Sequence, residues 1–213
     1  MTVRFVGTDC SVESSNIFPL FCFGHVAWFK AIYQQPEIVF DVHESFPKRT
    51  FRNRYTILNS QGRLDLTIPL SNRSSTNKTN EIKIDYSEDW ITQHLRSIKT
   101  GYSLAPFYIH FIDELKLIFE SRPTFLIDLN LILFDFTLNN LGINLTYQVS
   151  KDFPNPEKNT YWRFDKIPNK KADQISTNFY PQQFEDRNGY LPNPSILDVL
   201  FNLGPEGRLF LSS

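Results

Sequence analysis

The sequence has little cysteine and no glycine-rich motif. Its two cysteines, Cys10 and Cys22, form neither a CxxC pair nor a disulfide framework, so we expect a protein of a reducing compartment, the cytoplasm. The 8 glycines are scattered and make no GxGxxG motif or P-loop. HExxH, GxSxG, EF-hand and zinc-ligand spacings are also absent. The sequence therefore predicts no metal site from local spacing, although one could still assemble in three dimensions, and it leaves the cofactor unknown.

The chain also has no excess of positive or negative charge and no long uninterrupted apolar run. Lys plus Arg number 22 and Asp plus Glu 23, giving a formal charge of -1, so no overall field attracts nucleic acid or an anionic membrane. The apolar run 17–33 is interrupted by Pro19, Gly24 and Lys30, and the run 126–141 contains Asp and Asn. We predict neither a membrane span nor a signal peptide. Nothing in the sequence specifies an oligomeric state.

The length and composition predict one domain over residues 1–213, with or without a sub-lobe, and the predicted elements make it an α/β domain. With 41% hydrophobic residues the chain can bury a sizeable core. A short strand at 3–6, a core helix at 17–33 capped by Asn16, and a strand at 37–42 predict an opening βαβ unit. This unit would place His43 and Glu44 at the carboxyl end of a strand, where α/β proteins carry functional loops.

A β-hairpin is predicted to follow. The β-prone runs 51–58 and 64–70 flank a loop at 59–63 that contains Asn and Gly. Residues 71–80 hold no aliphatic or aromatic residue, which indicates a solvated, mobile loop. The alternation over 81–86 predicts a half-exposed strand. The whole fold would then be a mixed sheet with flanking helices.

The second half of the chain is predicted to be mainly helical. Ser87 would cap a helix in which Trp90 and His94 share a face. Further helices are predicted at 106–120 and 124–141, then a strand at 143–149. Periodicity is lost from 150 to 188, although Trp162 and Arg163 suggest that part of this irregular segment docks. A last helix is predicted with Asn193 as its cap and a stop at Gly204 and Pro205.

A cluster of basic residues follows His43. Lys48, Arg49, Arg52 and Arg54 lie within seven residues of a nearly neutral chain. On a strand at 51–58, Arg52 and Arg54 would point to one face and could clamp a diphosphate or a carboxylate. The alternative is a solvated edge strand whose charges oppose aggregation.

His94 and Asp198 are further candidates for chemistry. His94 could act as a general base, or it could be a packing residue whose hydrogen bonds are satisfied. Asp198 shares a helix face with Asn202 and could position a nucleophile, or it could pair structurally with an arginine.

Several motifs in series resemble the WbqC-like protein family. They are Ile17-Phe-Pro, Phe23-Gly24, the segment 43–54, the segment 66–70, Trp90 with His94-Leu-Arg96, Tyr102 with Ala105-Pro-Phe107, the segment 191–198, Phe201-Asn202 and Gly204-Pro-Glu206. The resemblance covers most of the chain except residues 1–15 and about 150–178. Many family members carry His-Gln before the first proline, where this chain has Ile17 and Phe18, so no histidine role is carried over there.

The resemblance implies a bacterial setting in surface-polysaccharide (O-antigen) biosynthesis. The resulting hypothesis is a transferase acting on a nucleotide-activated amino sugar, with His43, His94 and Asp198 as catalytic candidates. The substrate-binding candidates are Lys48, Arg49, Arg52, Asn53, Arg54, Trp90, Arg96, Tyr102 and Asn193. The alternative is a non-catalytic component of the same machinery that binds a sugar, another anionic small molecule or a partner protein. No nucleic-acid partner is expected.

Overall fold

The computed structural model describes residues 15–71, 77–155, 157, 159–162, 164 and 179–213. The predicted strand at 3–6, Cys10 and Arg163 lie outside these residues. The strands are β1 (Asn16–Pro19), β2 (Glu37–Asp41), β3 (Arg54–Asn59), β4 (Gly62–Thr67), β5 (Leu70–Ser71), β6 (Lys83–Ile84), β7 (Thr146–Val149) and β8 (Thr160–Tyr161). The helices are α1 (Val26–Tyr33), α2 (Trp90–Tyr102), α3 (Tyr108–Glu120), α4 (Leu126–Leu141), α5 (Glu185–Asn188), α6 (Ile196–Leu203) and α7 (Gly207–Ser212).

The predicted α/β fold class is confirmed. Four strands form a parallel sheet in the order β7-β2-β1-β8. The pairs β3-β4 and β5-β6 are antiparallel. Because all four strands of the larger sheet run the same way, their carboxyl ends meet at one edge.

The opening βαβ unit is present, but its first strand is not the predicted one. β1 occupies the start of the apolar run that was predicted to be entirely helical, and α1 begins only at Val26. Ile17 and Phe18 pair with Val39 and Phe40 of β2 and are almost fully buried. A strand buried on both faces has the same continuous apolar pattern as a buried helix, so periodicity could not separate the two.

The predicted hairpin is confirmed as β3 and β4, with Asn59 paired to Gly62. Its first strand begins at Arg54 because residues 51–53 form a turn. Backbone bonds fix this turn, with Cys22 N–H donating to the Phe51 carbonyl and Ile68 N–H to the Asn53 carbonyl. The strand predicted at 81–86 is reduced to β6, which follows a 3-10 turn at Thr79–Glu81.

Helix α2 packs directly against the hairpin. A Cβ atom at Gly101 would lie 2.5 Å from the Leu58 carbonyl oxygen, so only glycine permits this approach. Leu58 N–H donates to the Tyr102 hydroxyl at 3.0 Å. The helix is capped by Asp89, whose side chain accepts from Thr92 N–H, and not by Ser87 as predicted.

The two central helices follow the sequence prediction closely. α3 and α4 lie within the predicted ranges, and α4 ends at Gly142 with a φ of 64°. Among the described residues no helix combines the length and the apolar character needed to cross a bilayer.

Asn193 caps a different helix from the predicted one. The N-cap of α6 is Ser195, whereas Asn193 Oδ1 accepts the N–H of Ala27 in α1 at 2.8 Å. Asn193 has a φ of 55°, a conformation that asparagine tolerates better than most residues. The prediction was wrong because the side chain turns to a helix that is distant in sequence. The predicted stop of this helix is confirmed, because α6 ends at Leu203 with Gly204 as its C-cap, and the short helix α7 follows.

Candidate functional site

The carboxyl edge of the parallel sheet gathers polar and aromatic residues. We use this name for the segments that follow β1, β2, β7 and β8. His43 and Glu44 come after β2, Ser150 after β7 and Trp162 after β8. In α/β folds this edge is the usual place for ligands, because the loops that leave the strands diverge there.

His43 has one ring nitrogen fixed by the protein. Its Nε2 lies 3.0 Å from the Ser150 carbonyl oxygen. Its backbone N–H donates to Asp41 Oδ1 at 2.9 Å, and Asp41 itself is buried. Among the described residues, no hydrogen bond reaches Nδ1 of His43. The ring is half-buried, so it is held in place and remains accessible.

Glu44 is held by a buried arginine. The Arg52 guanidinium has no exposed surface, forms an ion pair with Glu44, and donates to Thr50 Oγ1 at 2.7 Å. Asn130 donates to the Arg52 carbonyl at 2.8 Å. The Glu44 side chain is 19% exposed, so the pair presents its carboxylate rather than its guanidinium toward solvent.

This placement corrects the predicted clamp of Arg52 and Arg54. Arg52 precedes β3 and points into the protein, whereas Arg54 lies on the hairpin. Arg54 donates to Thr67 Oγ1 at 3.2 Å and approaches Asp65 at 4.0 Å. The two guanidiniums do not share a strand face because the turn at 51–53 breaks the alternation. Lys48 and Arg49 are exposed in the same β2–β3 loop.

An aromatic cluster lies beside Arg52 at the carboxyl edge. The His25 ring contacts Phe21, Phe51 and Phe164 with ring centroids 6.2, 5.2 and 5.6 Å away. The guanidinium carbon of Arg52 lies 5.6 Å from the Phe21 ring centroid. His25 and Arg52 are therefore packed against aromatic rings.

Trp162 follows β8 directly, and its side chain packs against β1. Its ring stacks on Phe18 at 5.4 Å with an interplanar angle of 7°. Its indole N–H donates to Asn16 Oδ1 at 3.2 Å, and its backbone N–H to the Ile17 carbonyl at 2.9 Å. The docking predicted for this part of the irregular segment is confirmed at Trp162, which remains partly exposed.

The amino end of α1 also faces this region, but its first N–H groups are already bonded. Val26 N–H donates to the Pro194 carbonyl at 3.0 Å, and Ala27 N–H to Asn193. Trp28 N–H donates to His25 Nδ1 at 3.1 Å. Nucleotide-binding α/β folds often bind phosphate at such a helix terminus. Here the chain's own residues occupy these donors.

The carboxyl-terminal part of the polar loop predicted at 71–80 is hydrogen-bonded to the loop that follows β2. Asn80 N–H donates to the Val42 carbonyl and Thr79 N–H to the Glu44 carbonyl, each at 3.0 Å. Phe46 N–H donates to the Asn77 carbonyl at the same distance. The expectation of a wholly mobile loop is therefore wrong for these residues. Residues 72–76 lie outside the described part.

Trp90 and His94 are in contact as predicted, but inside the core. Their ring centroids are 5.0 Å apart, and both residues are buried. The Tyr55 hydroxyl bonds to His94 Nδ1 at 3.0 Å. Burial lowers the pKa of His94 to about 4, partly opposed by a hydrogen bond to the Thr67 carbonyl. This geometry favours the packing alternative for His94, which stays neutral near pH 7.

Asp198 belongs to a second buried polar group. Tyr180 donates to its Oδ2 at 2.6 Å and Gln182 at 3.3 Å. Burial raises the pKa of Asp198 to about 6, although hydrogen bonds from Tyr180, Tyr102 and Gln182 and the charge of Arg63 lower it. Asp198 has no exposed surface. Tyr102, predicted to contact substrate, is also buried here.

The remaining predicted residues lie apart from one another. Arg96 is exposed on α2, and buried Asn53 donates to the Ile68 carbonyl at 2.9 Å. Of the predicted catalytic residues, only His43 lies at the carboxyl edge. Asp41 and Ser150 were missed, although each ends or follows a strand. Within the described ranges no group of His, Cys, Asp and Glu side chains could hold a metal ion.

The comparisons with known proteins agree with the resemblance seen in the sequence. A profile of the WbqC-like protein family matches residues 21–177. The chain is 28% identical over 198 residues to an uncharacterized protein of Mycobacterium tuberculosis, with 78% of this chain and 83% of that protein aligned. No solved structure matches significantly.

Proposed function

Because the chain belongs to the WbqC-like protein family, we propose that it is a cytoplasmic transferase of surface-polysaccharide biosynthesis acting on a nucleotide-activated amino sugar. The observation that carries the proposal is the strand order β7-β2-β1-β8. The chain moves outward from β1 to β2 and β7, and then returns to the other side of β1 with β8. Doubly wound folds bind nucleotides beside such a reversal of direction, at the carboxyl ends of the strands.

The aromatic residue at this reversal supports nucleotide binding. Trp162 follows β8 directly, and its stacking on Phe18 and its bond to Asn16 hold the ring. It is the partly exposed tryptophan of the chain, since Trp28 and Trp90 are buried. A fixed indole with accessible surface suits stacking against a nucleobase. In this proposal Trp162 takes the role predicted from sequence for Trp90.

In this proposal, charged side chains around the loop after β2 bind the diphosphate and the amino sugar. The amino end of α1 is occupied, so a diphosphate needs cationic side chains, which Lys48 and Arg49 supply from an exposed position. They take the role predicted for Arg52 and Arg54. The carboxylate of Glu44, oriented by Arg52, suits the amino group of the sugar, and His43 accepts the proton that a nucleophile must release.

A thermal-shift experiment tests the binding step. A uridine-diphosphate amino sugar at a hundred times its Kd stabilises a protein by about 2.7 kcal/mol, roughly 5–10 °C in Tm for a chain of this size. We expect this shift in the wild type and its loss in a Lys48→Ala, Arg49→Ala variant. A Lys99→Ala, Arg187→Ala variant removes two other exposed cations and is expected to keep it. No shift with any nucleotide sugar would contradict the proposal.

Product analysis separates a transferase from the non-catalytic alternative. If the wild type binds the nucleotide sugar and His43→Gln binds it equally well, only the wild type is expected to yield a modified sugar by mass spectrometry. The reactions contain cell extract, which supplies the group to be transferred. Binding of the nucleotide sugar without any modified product would favour the non-catalytic, sugar-binding alternative.

A further inference from the structure

We infer that Asp41 and Ser150 are positioning residues that hold His43 in one tautomer, with Nδ1 as the nitrogen that accepts a proton. The use of that proton rests on the proposed function. The tautomer and its causes are properties of the free protein and can be measured without any substrate.

The hydrogen bond at Nε2 determines which nitrogen is protonated in the neutral ring. The Ser150 carbonyl oxygen, 3.0 Å away, can only accept, so Nε2 must carry the hydrogen. The lone pair of the neutral imidazole is then on Nδ1. Among the described residues nothing donates to Nδ1 or accepts from it, which leaves this atom for a bound molecule.

Two side chains fix the backbone that carries the ring. Asp41 Oδ1 accepts the N–H of His43 at 2.9 Å, and Ser150 Oγ accepts the N–H of Val42 at 3.3 Å. Ser150 also donates its own N–H to the Phe40 carbonyl at 2.9 Å. Ser150 therefore bonds to Phe40 in β2 and to Val42 and His43 in the loop that follows. These bonds keep its carbonyl oxygen aligned with the His43 ring.

The arrangement resembles the general design of an oriented base. A histidine that acts on substrate through one nitrogen is commonly held at the other by a carbonyl or a carboxylate. Here a carbonyl performs this task, so no charged group is paired with the ring nitrogen. Asp41 acts through the backbone and does not touch substrate in this scheme.

Nitrogen-15 NMR of histidine-labelled protein measures the tautomer directly. With His43→Gln used for assignment, we expect His43 Nδ1 to show the shift of an unprotonated ring nitrogen and Nε2 that of a protonated one. The exposed His110 provides the internal comparison and should show a mixture of the two tautomers. A mixture at His43, or the Nδ1–H form, would overturn the inference.

Matched variants test the two positioning residues. Asp41→Asn and Ser150→Thr keep an acceptor oxygen and should keep the wild-type pattern. Asp41→Ala and Ser150→Ala remove the side-chain acceptor oxygen and should shift His43 toward the mixture of tautomers expected for His110. If all folded variants give the wild-type pattern, the positioning roles are wrong. If Asp41→Ala does not fold because Asp41 is buried, the tautomer measured in Ser150→Ala decides whether the positioning roles are right. The tautomer result does not depend on whether nucleotide sugars raise the Tm.

Discussion

Asp198 is a carboxyl group without exposed surface in a chain whose other acidic residues mostly face solvent. Its Oδ2 accepts hydrogen bonds from Tyr180 and Gln182. Burial disfavours the charged form, which raises its pKa to about 6. The folded protein therefore binds a proton here more tightly than the unfolded chain.

This difference predicts a stability change with pH. The stabilisation from protonated Asp198 is complete below about pH 4 and is lost as the pH rises through about 6. Asp198→Asn stays neutral, so the free energy of unfolding of this variant relative to that of the wild type should rise by roughly 2 kcal/mol between pH 4 and 7. Urea unfolding at several pH values measures it, with exposed Asp186→Asn as control. Parallel curves for wild type and Asp198→Asn would contradict the prediction.

Single residues also show where sequence prediction works. The contact between Trp90 and His94 follows from helical spacing alone. Whether that pair meets solvent depends on Tyr55 and Phe119, which come from other elements. The burial of Arg52 depends in the same way on Glu44, eight residues earlier. Local spacing predicts neighbours within an element, but burial depends on the packing of the whole fold.

At the scale of elements, α1 depends on a segment far along the chain. Its first two N–H groups donate to Asn193 and Pro194, and its third to His25. An isolated eight-residue helix is too short to be stable in water. Its stability therefore comes from burial of Trp28 and Phe29 and from these caps.

Removing the side-chain cap should destabilise the protein. Asn193→Ala loses the acceptor for Ala27 N–H and places alanine at a positive φ, so we expect a loss of about 1–2 kcal/mol. Asn193→Gly also loses the acceptor but suits the backbone conformation, which separates the two effects. Asn193→Asp keeps the acceptor oxygen and should lose least. Chemical unfolding measures all three, and an Asn193→Ala variant as stable as wild type would contradict this assignment.

At the scale of the whole molecule, the sheet order determines which residues meet at the carboxyl edge. The sequence predicts a βαβ unit, which is present with a different first strand, and it correctly puts His43 at a strand end. The order β7-β2-β1-β8 could not be predicted, because β7 and β8 join β2 and β1 across more than a hundred residues. The contacts of Ser150 with His43 and of Trp162 with Phe18 depend on that order.

The four histidines differ in solvent exposure, so their chemical reactivity tests the fold. His110 is exposed and His43 half-buried, whereas His25 and His94 are 5% and 4% exposed. Diethylpyrocarbonate should therefore modify His110 and His43 in the folded protein, and His25 and His94 only on unfolding. Bound nucleotide sugar should protect His43 but not His110. Peptide mass spectrometry gives each rate, and native reactivity of His94 equal to that of His110 would show that the core placement is wrong.

The cap that Asn193 and Pro194 provide has a consequence for synthesis. The Ala27 N–H donor at the start of α1 leaves the ribosome 166 residues before its acceptor Asn193. Contacts of such long sequence separation slow folding, because the intervening chain must close first. The nascent βαβ unit therefore emerges with its helix uncapped, and the cap forms only after Asn193 and Pro194 have been synthesised.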